Sequence, residues 1–191
     1  MNGGGIEIVD LLPTQSAYLR QTAQLLVEEF REMAPDAWPT FEDGLQEVQD
    51  SLYPDRISRI ALESGAVVGW IGSAPQYNGH TWELHPLVVA KSHQRQGVGR
   101  RLVQDLEILV QQRGGRNLYV GTDDEAGFTS LAGIDLYPDP LNHLASIQNV
   151  KGHPFEFYQK MGFAIVGVIP DANGFGKPDI FMAKRIGTEG G

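Results

Sequence analysis

The chain has 191 residues, 41% of them hydrophobic, which is enough for one domain with a substantial core, and it contains no cysteine. Disulfides, thiolate metal sites and a cysteine nucleophile are thereby excluded. The formal net charge of −9 argues against a nucleic-acid partner, which needs a basic face, and suits a cationic small molecule drawn to an acidic cleft.

The chain carries no internal repeat, and its glycine-rich ends, MNGGG and GTEGG, are expected to be mobile. No basic-then-apolar leader and no membrane-spanning apolar run occurs. A single soluble cytoplasmic domain over 1–191, with no membrane partner, is expected. IEIVDL (6–11) reads as a first strand. Residues 14–33 read as a helix with Thr14 as N-cap and Leu19, Ala23, Leu26 and Phe30 on one face. AWP (37–39) is a break, and a second helix follows over about 42–52.

The period then shortens. RIALES (59–64) and AVVGWIGSAP (66–75) read as a hairpin turning near Gly65, and 80–91 as a further strand. Pro86 interrupts that strand and predicts a bulge around Leu87–Val89. From Gly97 to about Arg113 the spacing is helical, with Val98, Leu102, Leu106 and Leu109 as a stripe, and Gly114 and Gly115 end it. NLYVGT (117–122) is a strand. Residues 123–150 are too long for a bare connection and are expected to hold a short helix and an extra strand. HPFEFYQKM (153–161) reads as a helix with Pro154 at its first position, and 163–169 and 179–185 as closing strands. The order β, α, α, β, β, β, α, β, α, β, β predicts a mixed α/β sheet, mostly antiparallel, with one right-handed β-α-β crossover and helices on both faces.

The stretch SHQRQGVGRRL (92–102) places two glycines where a strand gives way to a helix. The first N–H groups of a helix lack intrahelical partners and sit at the positive end of its dipole, and glycine lets a phosphate approach the backbone. Residues Arg95 to Arg100 can therefore present a row of donors to a pyrophosphate. A P-loop would need a GK[ST] that is missing, and a dinucleotide fingerprint would need a small residue where Leu102 stands.

QRQGVG, with Gln94, Gly97 and Gly99, resembles the Q/R-x-x-G-x-G/A signature of the GNAT superfamily of N-acetyltransferases. EFYQKMGF (156–163) resembles that family's FYxKxGF. Together with WELHPLVV (82–89), GTDDE (121–125), LASIQN (144–149) and ANGFGKPDIFMAK (172–184), the run over roughly 60–185 is similar to the chromosomal-type aminoglycoside 6'-N-acetyltransferases. The first 55 residues resemble that branch only weakly, apart from Trp38-Pro39. The resemblance implies a GNAT-like fold with a twisted central sheet splayed at a bulge. It also implies acetyl-CoA as co-substrate, direct transfer to the 6'-amine of an aminoglycoside, and a homodimer formed through C-terminal strands.

Acetyl transfer to an amine needs a held donor, a deprotonated amine, a stabilised oxyanion and a protonated leaving thiolate. Glu83, His85 and Leu87 alternate along one strand and are expected to share a face. The resemblance implies that the pantetheine arm pairs along Leu87, Val88 and Val89, chiefly with freed backbone groups of Leu87 and Val89. The Leu87 N–H is then the candidate oxyanion donor. It further implies that Gln94, Arg95, Gln96, Gly97, Val98, Gly99 and Arg100 hold the pyrophosphate. Glu83 is a candidate base, directly or through water, and an anchor for the cationic amine; His85, with an ordinary pKa nearer the task, is the alternative. Tyr158 is the candidate proton donor to the thiolate. Asp123 and Trp38 are candidates for the acceptor site, with Asp124 and Glu125 beside Asp123. His80, His93, His143 and His153 show no metal-ligand spacing, so no metal is expected. Many superfamily members carry an Asn about seven residues before the Tyr. Lys151 stands there in this chain, with Asn149 two residues earlier, which leaves contacts from this region to CoA unassigned. A different amine acceptor, or a CoA-binding protein without activity, stays open beside the aminoglycoside reading.

Overall fold

The structure, a computed structural model, describes residues 5–187. Of the two glycine-rich ends, all but Gly5 and Gly187 lie outside the described residues. The chain forms two compact units, one running to Arg116 and resuming at Ile186, the other Asn117–Arg185.

The first unit contains β1 (Glu7–Asp10), α1 (Ser16–Phe30), α2 (Phe41–Asp50), β2 (Ile57–Glu63), β3 (Ala66–Gln76), β4 (Thr81–Val89) and α3 (Val98–Gln112). Its four strands pair in chain order, each antiparallel to the next. The β2–β3 hairpin turns near Gly65 as expected, through the two residues Ser64 and Gly65. Ser64 (φ 51°) and Gly65 (φ 80°) both lie at positive φ, as a tight primed turn requires. Helix α1 starts two residues later than Thr14. Gln15 holds the N-cap position, and its side-chain oxygen accepts the Leu12 N–H at 2.9 Å. The helix also ends at Phe30, before Met33, and the chain continues as a turn in which the Met33 and Ala34 N–H groups both donate to the Phe30 carbonyl (3.1 and 2.9 Å). Helix α2 opens with a capping box: Thr40 Oγ1 accepts the Asp43 N–H (3.2 Å) and Asp43 Oδ2 accepts the Thr40 N–H (3.0 Å).

Two neighbouring residues of β3 show how this sheet is covered. Trp70 is fully buried in a cluster with Leu19, Ala23 and Leu26 of α1, Val48 of α2, and Ile60 and Val88. Its indole N–H donates to Ser58 Oγ at 2.9 Å, so the burial leaves no polar atom stranded. Adjacent Gly69 points the other way. A Cβ there would come within 3.0 Å of Leu102 and 3.3 Å of Val98, both on α3. Helices therefore lie on both faces of this sheet. Arg59 of β2 fastens α3 to it, donating to Asp105 at 2.7 Å and 3.2 Å and to Asp10 of β1 at 2.6 Å.

The bulge in β4 lies at His85–Pro86, before the expected Leu87–Val89. Ser73 pairs with Leu84 and Ile71 with Leu87, so two residues of β4 oppose the single Gly72 of β3. Gly72 is what admits the extra residue. A Cβ at Gly72 would sit 2.4 Å from the His85 carbonyl oxygen.

The second unit contains β5 (Asn117–Asp123), α4 (Pro140–Ala145), α5 (Phe155–Lys160), β6 (Ala164–Ile169) and β7 (Asp179–Arg185). β7 is central, antiparallel to both β5 and β6. Leu131, Leu136, Leu144 and Ile180 form a buried cluster. The 123–150 segment holds the expected short helix, α4, but only an isolated bridge, Thr129 to Asn149, where an extra strand was expected. Side chains organise it instead. Asp124 accepts the N–H groups of Phe128 (2.6 Å) and Thr129 (2.7 Å) and the Thr129 hydroxyl (2.7 Å). Pro154 occupies the N-cap position of α5, one residue before the place expected for it. Among the described residues no helix is long and apolar enough to cross a membrane.

Candidate active site

Between β4 and α3 the chain makes a short turn at Lys91–His93, then passes through Arg95 (φ 60°) and Gly97 (φ 87°) in left-handed geometry. Gly97 is the N-cap of α3, and a Cβ on it would meet nothing within 4 Å. Glycine is needed there for its backbone angle, and the space before it is open. The first intrahelical bond runs from Arg101 N–H to Gly97 C=O at 3.0 Å. The N–H groups of Val98, Gly99 and Arg100 therefore lack an intrahelical acceptor. No acidic residue occupies the first turn of α3, and Arg95 and Arg100 are exposed beside it. Val98 is buried and fixes this end of the helix against β3. Such a cradle fits a pyrophosphate.

The two glutamine side chains are engaged within the protein. Gln94 Nε2 donates to the Val89 carbonyl (2.9 Å) and to Glu29 of α1 (3.3 Å), and Gln96 Nε2 donates to the Ser92 carbonyl (2.7 Å). Both side chains brace the loop. Glu29 also accepts the Lys91 N–H at 2.8 Å, and His93 bonds Glu63 at 2.9 Å and Ser92 at 2.8 Å. Glu29 and Glu63 are remote in sequence and carry the wrong charge for a phosphate site, so no sequence signal marks them.

The pairing of β4 decides which of its backbone groups are available. Ala90 donates its N–H to Val68 C=O at 2.9 Å, in register with Val89 opposite Gly69, Val88 opposite Trp70 and Leu87 opposite Ile71. Hydrogen-bonded and non-hydrogen-bonded pairs alternate along an antiparallel ladder. Ala90 and Val88 thus bond to β3, while the N–H and C=O groups of Leu87 and Val89 turn to the other edge of β4.

The bulge corrects one expectation. Glu83, opposite Ala74, and His85 lie on the α1/α2 side of the sheet, where His85 meets Trp38 and Glu47. Past the extra residue the alternation shifts. Val88 joins the α1/α2 cluster, and Leu87, opposite Ile71, has its side chain on the α3 side. Leu87 therefore does not share the face of Glu83 and His85. The arrangement on that face is compact. Trp38 packs edge-on against Phe30 (4.9 Å between ring centroids) and lies 5.8 Å from the His85 ring. Glu47 of α2 approaches His85 Nε2 at 3.8 Å, and Gln76 donates to Glu83 at 3.4 Å. Glu47 is a second carboxylate at this face that the sequence reading missed. Helical periodicity alone does not tell which turn of α2 lies over β4.

In the second unit, Tyr158 lies on α5, 6% exposed, edge-on to Phe157 (5.1 Å) and Phe163 (5.4 Å). Burial pushes its hydroxyl above the ordinary tyrosine range, so it keeps its proton throughout neutral pH. Asp123 is exposed at the end of β5 and accepts a hydrogen bond from Asn173. Its neighbours are engaged elsewhere. Asp124 is buried in the turn described above, and Glu125 lies 3.8 Å from Lys177. Asn149 faces inward, accepting the Gly152 and His153 N–H groups (2.8 and 2.7 Å) and donating to the His153 carbonyl (2.9 Å). Among the described residues no group of three or more His, Cys, Asp or Glu is placed to hold a metal ion.

The acetyltransferase (GNAT) family model matches residues 20–132. The structure is similar to that of an aminoglycoside 6'-N-acetyltransferase complexed with coenzyme A, at 41% identity and a TM-score of 0.87, over 97% of this chain and 99% of the other. The aminoglycoside 6'-N-acetyltransferase from Enterococcus faecium is similar at 41% identity and a TM-score of 0.85 over the same shares of both chains. Aminoglycoside 6'-acetyltransferase type Ii is similar at 36% identity and a TM-score of 0.72, over 96% of this chain and 99% of the other. No curated protein matches significantly.

Proposed function

The chain belongs to the acetyltransferase (GNAT) family, and from that premise we propose that it transfers the acetyl group of acetyl-CoA directly to the 6'-amino group of an aminoglycoside. One observation carries the choice of acceptor: similarity at 36–41% identity, over nearly the whole of both chains, to three aminoglycoside 6'-acetyltransferases. The net charge of −9 and the carboxylates Glu83 and Glu47 on the face that carries His85 and Trp38 suit a polycationic acceptor.

Acetyl-CoA supplies the acetyl group as a thioester, which a neutral amine can attack. In this reading the N–H groups of Val98, Gly99 and Arg100, with the Arg95 and Arg100 side chains, hold the pyrophosphate, and Gln94 and Gln96 keep the loop in shape. Leu87 and Val89 offer their outward backbone groups to the pantetheine amides, with Val88 anchored in the core between them. The Leu87 N–H faces the carbonyl oxygen and stabilises the charge gathering there. Glu83 anchors the ammonium and takes its proton, directly or through water, with His85 as the alternative base. Tyr158 gives its hydroxyl proton to the departing sulfur; the nitrogen gives up one proton before attack and a second as the amide forms, one of the two restores the Tyr158 hydroxyl and the other leaves through the base to solvent. Trp38 and Asp123 extend the acceptor site. We further propose a cytoplasmic enzyme, working where acetyl-CoA is made, and a homodimer whose contact includes edge strand β6, which exposes Val166 and Ile169.

Thiol release measured with a panel of amines tests the acceptor. Turnover is expected with aminoglycosides bearing a 6'-amine and not with those bearing a 6'-hydroxyl. Turnover confined to polyamines or peptide amines would move the proposal to another acceptor within the family.

A further inference from the structure

His153 takes no part in the chemistry proposed above, yet it is 2% exposed at the entry to the helix that carries Tyr158. Both ring nitrogens are used. Nε2 lies 3.2 Å from the Asp123 carbonyl oxygen at the end of β5, and Nδ1 lies 3.2 Å from the N–H of Phe155, the first residue of α5. A carbonyl can only accept and an N–H can only donate, so this pair of partners selects one state: a neutral imidazole with its proton on Nε2. Asn149 holds the His153 backbone on both its N–H and its C=O.

We propose that His153 is the positioning residue for Tyr158: as the neutral Nε2–H tautomer it ties the first turn of α5 to the end of β5, and gaining a second proton breaks that tie. The inference rests on Tyr158 being the proton donor. A proton on Nδ1 would face the Phe155 N–H donor to donor, and Tyr158 follows Phe155 by less than one helical turn. Every element packed around the ring bears on the balance. The end of β5 brings the backbone of Asp123, then the Asp124 and Asp123 carboxylates and the Thr122 backbone, all favouring the charged form, and α5 brings the Phe155 ring, 5.6 Å away between centroids. Burial outweighs these backbone and carboxylate contributions and holds the His153 pKa below the ordinary histidine value. The tie is therefore intact at neutral pH and lost as pH falls.

Two measurements on the full chain test this. Nitrogen-15 NMR of the free protein is expected to show His153 as the neutral Nε2–H tautomer at pH values below about 6.5, the ordinary histidine pKa, with the Tyr158 ring signals shifting when His153 finally protonates. An Nδ1–H tautomer, an imidazolium above that pH, or Tyr158 signals indifferent to the titration would overturn the proposal. The second is the pH profile of kcat in H153Q, whose amide can still donate to the Asp123 carbonyl but cannot gain a proton. The ratio of wild-type to H153Q kcat is expected to fall as pH drops through the His153 titration, by up to about tenfold per pH unit, with acetyl-CoA affinity changed less than about threefold. A ratio constant with pH would overturn the proposal. A wrong acceptor leaves the NMR result intact and removes turnover, whereas a wrong role for His153 leaves turnover intact and spoils the NMR result or the ratio. Should H153Q not fold, the wild-type titration still decides.

Discussion

Tyr158 and Gly97 carry the sharpest predictions at the level of single residues. Tyr158→Phe keeps the ring packing against Phe157 and Phe163 and removes only the hydroxyl. Loss of a proton donor of this kind is expected to lower kcat about a hundredfold with little change in acetyl-CoA affinity, as steady-state kinetics beside calorimetry would show. Unchanged kcat would remove Tyr158 from the chemistry. Because its folded pKa is raised, Tyr158 contributes stability that is full below about pH 10, the ordinary tyrosine pKa, and is lost as pH rises through the folded value. Ultraviolet difference titration should find one tyrosine that ionises only above that value. His153 has the opposite sign: its lowered pKa contributes stability present above about pH 6.5 and lost as pH falls through the folded value. Gly97→Ala forces a side chain to φ 87° at a cost of about 1 kcal/mol, and Gly97→Glu adds a negative charge at the proposed phosphate site. Calorimetry with acetyl-CoA should therefore show a modest loss for Ala and no measurable binding for Glu. Gly97 was legible in the sequence because its cause is local: a glycine just before helical spacing begins. Glu29, Glu47 and His153 were not, since each matters through a partner that lies elsewhere in the chain or through burial, neither of which a residue type reveals.

Among the elements, β4 decides the most. Its bulge sets which backbone groups face outward and which side chains share a face. Gly72→Ala would place a methyl 2.4 Å from the His85 carbonyl, so the bulge must shift. A loss of roughly 1–3 kcal/mol in denaturant unfolding is expected, together with a raised KM for acetyl-CoA as Leu87 and Val89 move. A variant as stable and as active as the wild type would show that the bulge does not set the site. Pro86 announced an irregular strand, and the period-2 stretches placed β2, β3 and β4 within two residues of where they lie. The bulge itself was misplaced because its position depends on Gly72, a residue of another strand. For the same reason the alternation that grouped Leu87 with Glu83 and His85 failed at the one point where two residues oppose one. Helix α1 began late, at Ser16, with Gln15 at the N-cap position and no side-chain cap, so the Thr14 signal did not mark its start.

For the molecule as a whole, the absence of cysteine and the negative charge narrowed the chemistry, while the two motif stretches, QRQGVG and EFYQKMGF, pointed to the family that the match over 20–132 establishes. The acceptor was the least legible part. In the proposed site it depends on which side chains of α2, the 31–40 segment and β4 meet, such as Trp38, Glu47 and His85, and these come together only in the folded chain. An acidic site for a polycation also predicts that KM for the acceptor rises with salt while KM for acetyl-CoA changes less, since screening weakens attraction between exposed charges. The central claim is transfer to one particular nitrogen. It is tested most directly by incubating the protein with acetyl-CoA and an aminoglycoside bearing several amines, and locating the new acetyl group by NMR. A single product acetylated at the 6'-nitrogen is predicted; acetylation at another nitrogen, or none on any aminoglycoside with a 6'-amine, would contradict the account.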